Sequence, residues 1–166
     1  MLKSGLCVQK KEPEKKPDNT RIVIDTNVLI SGFLSPQGVP AQILLQAAGG
    51  ALQACYNQTI LDEYEKILSR PGFKFEATPE ERRSVLDTLK ENGLLCNAPP
   101  SVFPMKDEND RAFYDAAKAT GAFLVTGNKK HYPDEPFILT PREFAENRKL
   151  EGLIYTPSEV LRSTTF

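Results

Sequence analysis

Four stretches of the chain carry side chains that could do chemistry. Arg21-Ile22-Val23-Ile24-Asp25-Thr26-Asn27 ends an apolar run on a carboxylate, a hydroxyl and an amide. Ile60-Leu61-Asp62-Glu63-Tyr64-Glu65 places acids along an apolar stripe. Asp107-Glu108-Asn109-Asp110 is acidic, and Thr126-Gly127-Asn128-Lys129-Lys130-His131 follows a second apolar run. Carboxylates brought within a few ångströms repel, so a site made of them calls for a cation. Oxygen-only ligands select hard ions such as Mg²⁺ or Mn²⁺. Such a site suits hydrolysis of a phosphodiester, where one or two ions activate water and stabilise charge on phosphate.

Taken singly, each residue has a plainer reading. Asp25 and Asn27 suit helix starts. Glu63 falls between Ile60 and Ile67, at the edge of a buried stripe, but a first-turn acid is also favoured by the helix dipole. Asp107 and Asp110, three apart, are explained by capping. Lys129-Lys130-His131 reads as a solvated turn, or as a basic patch suited to phosphates. The case rests on their joint placement.

That placement follows from the elements. The β-branched run at Ile22–Ile24 reads as a strand buried on both faces. Ser31 to Gly38 is rich in turn residues. A helix follows over 41–48, with Ile43, Leu44 and Leu45 inward and Gly49-Gly50 as its stop. Residues 51–56 form a second strand. Asn57-Gln58-Thr59 leads into a helix with Ile60, Leu61, Tyr64, Ile67 and Leu68 on one face. Thr78-Pro79-Glu80-Glu81 opens the next helix with a capping box and proline at its first position; Val85, Leu86 and Leu89 face in. Leu94-Leu95-Cys96 is a third strand. Residues 107–120 read as one helix, capped by Gly121. Phe123-Leu124-Val125 and Phe137-Ile138-Leu139 are the fourth and fifth strands. Alternation of strands and helices implies a parallel sheet covered on both faces, and right-handed crossovers put the strand-to-helix turns at one edge. Asp25, Asp110 and Asn128 all fall there.

The totals are compatible with this. At 166 residues the chain has room for one domain with a sizeable core. No apolar run approaches the roughly 20 residues of a membrane span, and no secretory signal is evident in residues 1–16. Cys7, Cys55 and Cys96 are scattered and odd in number, which fits a reducing cytoplasm rather than a disulfide framework. The formal charge is −1, so a nucleic acid would be met by local basic patches. One histidine rules out two-histidine acid–base catalysis within the chain. Residues 1–20, with five lysines against three acids, read as a flexible arm; 21–155 as the domain; and 156–166 as a tail or short capped helix. Thr156-Pro157-Ser158-Glu159 repeats the capping pattern of Thr140-Pro141-Arg142-Glu143.

In order and spacing, Ile22-Val23-Ile24-Asp25-Thr26-Asn27-Val28-Leu29, the Ile60–Leu68 segment, and Asp107 through His131 resemble the PIN-domain family, of the kind found as VapC-like ribonuclease toxins of bacterial toxin–antitoxin pairs. The resemblance covers roughly residues 21–145. It implies a three-layer α/β/α sandwich with a central parallel sheet, and acids that hold Mg²⁺ or Mn²⁺ to cut single-stranded RNA. By that match Asp25 is the first acid, Glu63 the second and Asp110 the third, with Asp107 auxiliary. The fourth position is Asn128, an amide that would serve as a neutral ligand or orient water. Thr26, Asn27, Thr126 and Asn128 would position water or phosphate, and Lys129 and Lys130 would hold the RNA backbone. The family further implies a cognate antitoxin and often a homodimer. Two other classes stay open: a PIN-like module that binds RNA or protein without cutting, and an aspartyl-phosphate phosphatase of the haloacid-dehalogenase type. The latter resembles its relatives in an Asp-x-Asp pair, where this chain has Asn27 in place of the general acid.

Overall fold

A computed structural model describes residues 20–72 and 74–150. The strands are β1 (Arg21–Ile24), β2 (Gln53–Tyr56), β3 (Leu94–Leu95), β4 (Phe123–Val125) and β5 (Ile138–Leu139). The helices are α1 (Thr26–Leu34), α2 (Val39–Ala48), α3 (Gln58–Leu68), α4 (Pro79–Asn92), α5 (Arg111–Thr120) and α6 (Pro141–Leu150), with short 3₁₀ turns at Glu108–Asp110 and Lys129–His131. The five strands lie in the order β3-β2-β1-β4-β5, and every pairing is parallel. Helices cover both faces, so the architecture is the expected α/β/α sandwich.

Ile22, Val23 and Ile24 of the central strand are at most 2% exposed, as burial on both faces requires. From β1 the chain winds outward through β2 to β3, then crosses back to β4 and continues to β5 on the other side. The reversal opens a crevice beyond the carboxyl ends of β1 and β4, the place where open parallel sheets bind ligands. Asp25 follows β1 and Thr126 follows β4.

Local chemistry explains most boundaries. Asn57 caps α3 by accepting from the Ile60 amide at 2.8 Å. Thr78 and Glu81 make the reciprocal capping box of α4, and Thr140 and Glu143 make that of α6. Gly121 ends α5 at φ +70°, a conformation glycine adopts without steric cost.

Three expectations are corrected. Ser31 to Leu34 is helical and belongs to α1 rather than to a turn. Val28, Leu29 and Phe33 recur at helical spacing and are buried, and Gly32 lets α2 approach, since a Cβ there would lie 3.1 Å from Leu44 Cδ2. Residues 107–120 are a 3₁₀ turn followed by α5, because the Asp107 carboxylate accepts from the Asn109 amide and tightens the entry. On α2, Ile43 and Leu44 are buried as expected, but Gln46 is buried with them and Leu45 is only half-buried. The arm, the 155/156 boundary and the second Thr-Pro-x-Glu copy lie outside the described residues.

Gly93 joins α4 to β3 where the helix end meets β2. A Cβ there would stand 2.5 Å from the carbonyl oxygens of Ala54 and Leu89 and 2.7 Å from the Tyr56 ring. Two of those atoms are backbone and cannot yield cheaply. Gly93→Ala is expected to destabilise the chain by about 1–3 kcal/mol, read as a lower urea midpoint at unchanged slope.

Candidate active site

Asp25 is the N-cap of α1 and is only 6% exposed. A buried charge needs hydrogen-bond partners, and here four donors supply them. Oδ1 accepts from the Thr26 amide at 2.7 Å. Oδ2 accepts from Thr126 Oγ1 at 2.7 Å, Tyr132 hydroxyl at 3.1 Å and Asn27 Nδ2 at 3.2 Å. Thr126 thus ties β4 to the end of β1. Asn27 adds a second tie, as its Oδ1 accepts from the Gly127 amide at 2.8 Å. From below, the Tyr64 hydroxyl donates to the Ile24 carbonyl, so α3 holds the same strand end. Burial and the charge of Asp25 push both phenols, Tyr64 and Tyr132, well above their ordinary range, and the charge of Asp110 adds to this at Tyr132.

Asp110 stands at the junction of the 3₁₀ turn and α5. It makes no capping hydrogen bond, which removes the plain reading of that residue. Its Oδ2 is buried and has no hydrogen-bond partner. Burial, then the charges of Asp25 and Asp107, push its carboxyl up to about 6, while His131 pulls the other way with Nδ1 3.8 Å from Oδ2. Asp110 thus feels the charge of Asp25, and its buried Oδ2 is left without a hydrogen bond.

The other expected acids do not join them. Among the described residues, no three His, Cys, Asp or Glu side chains stand close enough to hold an ion together. Glu63 is half-buried on α3, beside Tyr64. Asp107 is exposed, caps the 3₁₀ turn and reaches Asp110 by charge alone. The expected cluster of acids is thus not assembled among the described residues. Asp25 itself is held by neutral donors, one backbone amide and three side chains, with no cation among them.

The remaining residues line the rim. Thr26 Oγ1 is buried without a hydrogen-bond partner. Asn128 is exposed, and its amide donates to Thr126 Oγ1 at 3.0 Å. Lys129 pairs with Glu143 at 3.1 Å, and the Lys130 carbonyl accepts from Lys106 Nζ at 2.8 Å. The hydroxyls of Tyr64 and Tyr132 were not anticipated here; that of Tyr132 reaches the Asp25 carboxylate, whereas that of Tyr64 holds only the backbone of the strand before it. Tyr64 reads as part of an apolar stripe, and only its polar tip, which needs a partner when buried, hints at more. Tyr132 closes the polar turn after β4, one residue past the only histidine.

The state of Asp110 gives a pH signature. Its carboxyl is protonated in folded and unfolded chains alike well below its ordinary value of 3.8. As pH rises to about 6 and beyond, the unfolded chain ionises freely while the folded one does so against burial and two negative charges, so stability is lost across that window. In EDTA, urea unfolding of the wild type should lose stability between pH 4 and 7 relative to Asp110→Asn. The difference is on the order of 1 kcal/mol after allowance for solvent screening. Equal slopes for the two chains would remove the strain ascribed to Asp110.

Over 110 residues the chain is 28% identical to an uncharacterized protein, MJ1680, of Methanocaldococcus jannaschii, covering 66% of this chain and 71% of the relative. The family model described as PIN domain matches residues 21–130, which begins with β1 and ends at the turn after β4 and so includes Asp25, Asp110 and Thr126. PIN domains are in general nucleases, hydrolases of the phosphodiester bond. On the strength of that match across most of its length, the chain belongs to the PIN domain family.

Proposed function

We propose that this protein is a metal-dependent endoribonuclease acting on single-stranded RNA, and the toxin of a toxin–antitoxin pair. The observation that carries the nuclease reading is the buried Oδ2 of Asp110, which has no hydrogen bond and feels the charge of Asp25, near the switch point of the sheet. Carboxylate oxygens fit a hard cation. Asp25 and Asp110 would hold Mg²⁺ or Mn²⁺, with Glu63 approaching through water and Asp107 adding charge. The ion, when bound, supplies a polarised water and charge stabilisation at the scissile phosphate.

The chain's own residues do the rest. Thr126, Tyr132 and Asn27 hold the Asp25 carboxylate in one orientation. Thr26 Oγ1, buried with no hydrogen-bond partner, is free to hold a water or a phosphate oxygen. Asn128, exposed at the rim, contributes a neutral amide to the same end. Lys130 and His131 project from the 3₁₀ turn after β4 toward solvent, where they can meet the RNA backbone; Lys129 can do so at the cost of its exposed pair with Glu143. The toxin role, the antitoxin partner and a homodimer rest on the resemblance of the motifs to VapC-like proteins.

Asp25→Asn and Asp110→Asn should each lower cleavage of a mixed single-stranded RNA pool by about a hundredfold or more, with circular dichroism unchanged. Excess EDTA should abolish cleavage, and Mg²⁺ or Mn²⁺ should restore it. Full activity of either variant, or in EDTA, would sink the proposal; binding of RNA without cutting in both metals would instead favour a non-cleaving module. The toxin role has its own test. Expression without an antitoxin should arrest growth of the host, and Asp25→Asn should relieve the arrest; unaffected growth with active enzyme points to a housekeeping ribonuclease.

A further inference from the structure

Asp25 accepts hydrogen bonds unevenly. Oδ2 takes three, from Asn27, Thr126 and Tyr132, whereas Oδ1 takes only the Thr26 amide. A carboxylate oxygen offers about two lone-pair sites, so Oδ2 is filled and the spare acceptor capacity lies on Oδ1. Two of the three donors on Oδ2 are hydroxyls that are themselves buried, Thr126 at 0% and Tyr132 at 3% exposure. They approach from the end of β4 and from the turn beyond it, so they fix the carboxylate against rotation from a part of the chain remote from β1.

We propose that Tyr132 is a positioning residue of this site: with Thr126, its hydroxyl locks Asp25 Oδ2 and reserves Oδ1 as the oxygen that Asp25 presents to a divalent cation. The inference rests on the metal-dependent reading above. Its physical basis is general. Groups behind a metal ligand set its orientation, and losing one weakens metal binding by about 10–100-fold. Tyr132 is suited to the task because a phenol is a donor throughout the neutral range, and its ring is anchored in the core. Tyr64 offers a matched comparison. It is equally buried and equally close to the strand end, yet its hydroxyl bonds the Ile24 carbonyl rather than the carboxylate.

The test is a Mn²⁺ binding isotherm by calorimetry, without RNA, on the full chain and three variants. Tyr132→Phe and Thr126→Val should each raise the Mn²⁺ Kd about tenfold, and Tyr64→Phe should leave it within about twofold of the wild type. Urea midpoints of all four report folding, so that if one of the first two variants is unfolded the other still decides. Wild-type affinity in folded Tyr132→Phe or, where that variant is unfolded, in Thr126→Val overturns the proposal. Equal losses in Tyr64→Phe and Tyr132→Phe overturn it as well, since they mark a packing effect. Failure of the wild type itself to bind Mn²⁺ saturably would refute the metal-dependent reading, a result distinct from either.

Discussion

The structure depends on keeping one buried charge satisfied. Asp25 is enclosed at the carboxyl end of the central strand, and an unpartnered carboxylate there would cost several kcal/mol. Its four donors come from the start of α1, the end of β4 and the turn after it. The parallel pairing of β1 with β4, the side-chain tie of Asn27 to Gly127 and the seating of Tyr132 in the core all serve that one requirement. Because those donors are neutral, the charge of Asp25 is solvated but not cancelled, and it is felt by Asp110 and by both buried phenols.

Asp110 is the converse case. Its neighbours within reach are carboxylates and one exposed imidazole, and its buried oxygen has no donor at all. A helix cap would have been the inexpensive use of an aspartate at that position, and α5 does without one. The contrast between an acid filled with hydrogen bonds and one whose buried oxygen has none separates this site from an ordinary pair of strand-end caps. The amide at Asn128 leaves that asymmetry intact, since it adds no further negative charge beside Asp110.

Much of this was legible in the sequence, for identifiable reasons. The buried strand, the capping boxes at Thr78 and Thr140 and the alternation of elements are local signals, written within a few residues of where they act. The edge assigned to Asp25, Asp110 and Asn128 followed from the handedness of crossovers. What escaped was side-chain reach. Glu63 lies on the expected helix and is half-buried, yet no cluster of three acids forms around it among the described residues. Gly32 reads as a turn residue unless one knows that α2 packs against it. Tyr64 and Tyr132 look like core aromatics because their rings are core; the destination of a hydroxyl depends on contacts 40 and 107 residues away.

That separation has a consequence for the order of events during synthesis. Asp25 is made early, but Thr126 and Tyr132 follow it by 101 and 107 residues. Domains fold as units from the amino end as the chain emerges, and pairings this distant in sequence form late. Until the turn after β4 has left the ribosome, the first acid lacks two of its donors and has no Asp110-bearing helix locked across from it by β4. A nascent chain truncated before Tyr132 would carry the acids without the framework that orients them. The enclosure of Asp25 is therefore completed only once residues more than a hundred positions after it have been made.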